Sequence, residues 1–117
     1  METRLILLAV RPTLFRDSVR ALLTHRRDLQ VIDAKPCDAE ILEAARRHRA
    51  DVVVASLEPT PEMPPLVSRL LAEFPGMTVV GIDLEGGCAR IYRDDREVQT
   101  ASCESESELI WAITGGT

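Results

Sequence analysis

The sequence predicts an α/β fold, an open parallel sheet with helices on both faces, and three observations lead there. Short, wholly apolar runs occur at Leu5 to Ala9 and Val52 to Ala55, the pattern of strands covered on both sides. Between them lie stretches with apolar residues at helical spacing, Thr13 to about His25 and Asp38 to about His48. Strands alternating with helices of about ten residues imply repeated right-handed crossovers, and hence parallel pairing.

Each element has a local reason. Leu5 to Ala9 forms the first strand, and Pro12 follows in the turn. The first helix carries Leu14, Val19, Leu22 and Leu23 on one side and Arg16, Arg20, Arg26 and Arg27 on the other, with Thr13 as its expected cap. Leu29 to Ala34 is the second strand. Asp38 is the expected cap of a helix whose apolar stripe is Ile41, Leu42 and Ala45. Val52 to Ala55 is continuously apolar and rich in β-branched residues. Four prolines then fall between Glu58 and Pro65, an extended loop that can run only into the first turn of a helix. That helix is Leu66 to Phe74, stopped by Pro75-Gly76, and Met77 to Ile82 is the fourth strand.

The rhythm then changes, because no helix fits between Asp83 and Cys103. Ala89 to Tyr92 and Val98 to Ser102 read as hairpin arms around tight turns at Glu85-Gly86-Gly87 and Asp94-Asp95. Ser105 or Ser107 can cap a last helix carrying Leu109, Ile110 and Ile113, ended by Gly115-Gly116. The chain of 117 residues is read as one domain, 1–117, with 83–102 as its atypical segment.

Composition bounds the function. At 45% hydrophobic and 28% charged the chain has a globular composition, and low aromatic content leaves the core to Leu, Val, Ile and Ala. No apolar run approaches the roughly 18 to 20 residues that cross a bilayer, so a cytoplasmic location is expected, with no membrane partner. The net charge of −5 divides into +3 over residues 1–50 and −8 over 51–117. A negative total argues against a general phosphate-backbone binder, and Arg46-Arg47-His48-Arg49 reads as a solvated helix end. Cys37, Cys88 and Cys103 are widely spaced and form no Cys-x-x-Cys pair, so neither a disulfide framework nor a zinc site is indicated. His25 and His48 sit near helix ends beside arginines, where capping and solvation suit them.

Several stretches together resemble the receiver domain of bacterial two-component response regulators, in the branch with a C-terminal helix-turn-helix. They are Ile6-Leu7-Leu8-Ala9, the run from Thr13 to Leu23, Asp28-Leu29-Gln30-Val31, the run from Ala50 to Leu57, Leu70 to Pro75, and Ser105 to Leu109 leading to Ala112-Ile113. The similarity covers roughly residues 4 to 82 and 103 to 113. It implies a three-layer CheY-like (flavodoxin-like) sandwich, here with the fourth helix replaced by a β-hairpin region.

The resemblance also implies a chemistry, and the sequence departs from it. That family uses an acidic pair after the first strand to hold Mg²⁺, a phosphoryl-accepting aspartate ending the third, a Ser or Thr ending the fourth and a lysine ending the fifth. The acidic pair aligns with Val10 and Arg11, the acceptor with Ser56 and the lysine with about Ser102. The Ser/Thr position falls near Ile82 or Asp83. The only lysine, Lys35, follows the second strand. Carboxylates bind a hard cation through oxygen, and Arg11 instead puts a positive charge where the ion would sit. The guanidinium of Arg11 can pair with Glu58 or Asp83 and lock one conformation without phosphate, since all three lie at carboxyl ends of strands.

The expectation is therefore a degenerate pseudo-receiver, not an enzyme. It would use no cofactor or metal and would act as a regulatory protein–protein interaction module in bacterial signalling or transcription control. Its partner would be another protein or a second copy in a homodimer, with no direct nucleic-acid binding by this domain. Ile91, Tyr92, Val98 and Trp111 are the candidate interface residues. Two alternatives stand beside it. One is a small-ligand sensor using the crevice at the strand ends. The other is the N-terminal part of a DNA-associated response regulator.

Overall fold

A computed structural model of the chain describes residues 3–57, 62–83, 85–93, 98–102 and 104–114, with only the backbone of residue 106. In chain order it runs β1 (Arg4–Ala9), α1 (Thr13–Thr24), β2 (Leu29–Asp33), α2 (Asp38–His48), β3 (Val52–Ser56), α3 (Pro65–Glu73) and β4 (Thr78–Asp83). Then come β5 (Cys88–Arg93), β6 (Gln99–Ser102) and α4 (Glu106–Thr114). The strands form one mixed sheet in the order β2-β1-β3-β4-β5-β6. β1 pairs parallel with β2 and β3, and β3 with β4. β5 lies antiparallel to β4, and β6 antiparallel to β5, so β6 again points along β4.

Alternation along the strands divides the core into two layers. Ile6, Leu8, Val52, Val54, Val80 and Ile82 face one side, where α1 supplies Val19 and Leu23 and α4 supplies Leu109, Ala112 and Ile113. Leu7, Ala9, Val53, Ala55 and Val79 face the other, beneath Ile41, Leu42 and Ala45 of α2 and Leu66, Val67, Leu70 and Leu71 of α3. The sheet is therefore a middle layer with two helices on each face. Gly81 in β4 is needed for a close approach, because a Cβ there would stand 2.6 Å from Leu57 Cδ1 and 3.3 Å from Leu57 Cβ. Arg4 extends this framework by donating from Nη1 to the Thr114 carbonyl (2.9 Å), a cation at the carboxyl end of α4.

The helix starts correct the sequence reading. Pro12 occupies the cap position of α1 and Cys37 that of α2, both in extended backbone without a side-chain cap bond. Thr13 and Asp38 lie one position later, inside the first turn, where Asp38 and Glu40 still face the positive end of the helix dipole. Leu14 is also corrected. It is 79% exposed, and Phe15 packs against the core in its place. Ser105, in contrast, caps α4 as expected: its hydroxyl accepts the Glu108 N–H (3.2 Å) and donates to Glu108 Oε1 (2.9 Å). Helix α2 ends on Arg49 in the left-handed region (φ 53), a conformation that more often goes to glycine.

Candidate functional site

The carboxyl ends of β1, β3 and β4 bring the candidate residues to one corner of the sheet. Ala9 pairs with Ala55 and Ser56 with Ile82, so the chain after β1 leaves the sheet beside Ser56. Val10 is only 2% exposed and belongs to the core beneath α1, so hydrocarbon fills the first of the two positions that the resemblance aligns with an acidic pair. Arg11 is exposed, and its peptide bond to Pro12 is cis.

The half-buried Ser56 hydroxyl is fully engaged with this loop. It accepts the Arg11 N–H at 3.0 Å and donates to the Arg11 carbonyl at 3.3 Å. Both bonds go to backbone, so Ser56 pins the β1–α1 connection whatever side chain stands at position 11. In the sequence Ser56 stands out only as the residue aligned with the phosphoryl acceptor. Its clamping role becomes visible only when β1 and β3 are placed side by side.

Asp83 turns the other way, over the β4–β5 turn, where a Cβ at Gly86 would collide with its Oδ2. On the same turn Gly87 has φ +65, and a Cβ there would stand 2.8 Å from Glu104 Oε1. The two glycines thus let the Asp83 and Glu104 carboxylates close over the turn. Among the described residues no ion pair joins Arg11 to Asp83. The proposed lock therefore rests on Glu58, which lies outside the described residues.

Ser102 ends β6 on the carboxyl side of the sheet, and its hydroxyl accepts the Glu104 N–H (3.2 Å). An extra strand, β5, separates it from β4. At about 4.8 Å per strand it stands three spacings from Ser56, too far for a side chain there to act at Ser56. Among the described residues, the side chains that follow β1 do not suit a hard divalent cation. Val10 offers no oxygen from its side chain, Arg11 is cationic, and among the described residues no group of three His, Cys, Asp or Glu side chains is placed to hold a metal.

The interface candidates separate into two pairs. Ile91 and Tyr92 are corrected: they are 2% and 4% exposed and pack into opposite core layers, because β5 is an interior strand. Val98 and Trp111 are exposed at 47% and 50%. The basic run of α2 is used within the fold. Arg46 makes two bonds to Glu73 at the end of α3 (2.5 and 2.6 Å), and Arg47 bonds Glu43 one turn back (2.6 Å). The Arg46 guanidinium, chiefly through these hydrogen bonds, holds the Glu73 carboxyl below its ordinary value, and Glu73 in turn raises Arg46. Cys37 is exposed and Cys88 half-buried, both as free thiols.

Two clefts open elsewhere. One of about 390 Å³ lies between α1 and the start of α4, with Phe15, Val19, Leu22 and Leu109 as its apolar lining. The other, about 330 Å³, lies between the end of β2 and α2 and is lined by Asp33, Lys35, Glu40, Glu43, Arg47 and His48 among others. Neither is lined by Arg11, Ser56 or Asp83. No helix among the described residues is long and apolar enough to cross a membrane. No protein-family model, curated protein or solved structure matches the chain.

Proposed function

We propose that this chain is a receiver-like domain of the CheY type that works without phosphorylation, as a regulatory protein–protein interaction module. The observation that carries the reading is the clamp at Ser56. The position that would accept phosphoryl holds a hydroxyl bonded at both ends to the backbone of Arg11, beside a buried Val10. The fold supports the same reading. The order β2-β1-β3-β4 with parallel pairing matches the start of the flavodoxin-like order, whose ligand crevice lies at the β1–β3 switch point. At that switch point the chain carries a valine, an arginine and a serine where the resemblance would require carboxylates.

The test is a titration of the labelled protein with Mg²⁺ and beryllofluoride, a mimic of the phosphorylated state, followed by backbone resonances. Unchanged resonances of Val10, Arg11 and Ser56 are the expected result. Saturable shifts centred on Ser56 would overturn the proposal, because they would mean that the corner still binds phosphoryl and metal.

A further inference from the structure

We draw no further inference here: the strongest candidate, the apolar groove of about 390 Å³ between α1 and the start of α4, with Leu14 and Trp111 exposed on the same two helices, carries none because nothing in the structure shows what covers it.

Discussion

Strands β1, β3 and β4 are buried on both faces, whereas on the α2–α3 side β5 is buried only at Tyr92 and no described residue of β6 is buried there. The difference follows from how the strands are joined. Parallel neighbours need crossover connections, and the helices in those connections lie on the sheet and cover it. A hairpin needs only a turn. Here α4 covers β5 and β6 from one side. On the other face Tyr92 packs into the α2–α3 core at one end of β5, while Cys88, Arg90 and Ser102 are half-buried and Thr100 is exposed. Joining strands by a hairpin rather than by a crossover therefore changes more than one connection. It leaves one sheet face only partly covered and places the polar strand Gln99-Thr100-Ala101-Ser102 at the end of the sheet.

The contrast is tested most strongly by core truncation. Leu70→Ala, in α3 above the parallel strands, should cost about 2–5 kcal/mol in chemical denaturation, since Leu70 is wholly buried. Thr100→Ala on the open hairpin face should stay within about 0.5 kcal/mol. Equal losses would break the comparison. Gly81→Ala comes next, at about 1–3 kcal/mol, because the added methyl meets Leu57 at 2.6 Å and at 3.3 Å. Adding Leu57→Ala should recover part of that loss if the collision is its cause.

Ser105→Ala sharpens the comparison from the hairpin side. Loss of the cap should cost about 1 kcal/mol. It should appear as faster amide exchange in the first turn of α4, with β1 to β4 unaffected. The smallest effect belongs to the Arg46–Glu73 tie between α2 and α3, which is exposed. Because the folded protein lowers the Glu73 pKa, the ionised carboxylate favours folding above the ordinary range near pH 4, and the benefit is lost as pH falls through the lowered value. The wild-type protein and Glu73→Gln should therefore differ slightly in melting midpoint at neutral pH and converge in acid. A gap that persists at low pH would show that packing, not charge, links the two helices.

Much of this was legible from residue pattern. Val52-Val53-Val54-Ala55 is apolar at every position because both its faces are covered, and its short length and β-branched residues favour a buried strand over a helix. That Val10, Arg11 and Ser56 supply no carboxylate at this corner was readable as residue types. Cap positions were read one residue late at Thr13 and Asp38, since capping residues are also acceptable in the first turn and only the backbone tells the two apart. Leu14 was assigned to the core because a helical stripe fixes spacing but leaves its width uncertain by a residue. The burial of Ile91 and Tyr92 did have a signal. Ala89, Ile91 and Tyr92 place apolar side chains on both faces of β5, which suits an interior strand, while Gln99 and Thr100 suit an edge.

By itself the sequence determined the alternation of strands and helices, the hairpin turns that set β5 between β4 and β6, the two-layer division of apolar side chains and the absence of carboxylates at Val10 and Arg11 after β1. These depend on local period and residue type, which neighbouring positions carry. Tertiary structure alone decided that Ser56 would clamp the Arg11 backbone and that Arg46 would reach Glu73. Each of these joins residues far apart in the chain, and which distant groups meet is set by the burial and hydrogen bonding of the whole sheet, a sum that no local stretch contains.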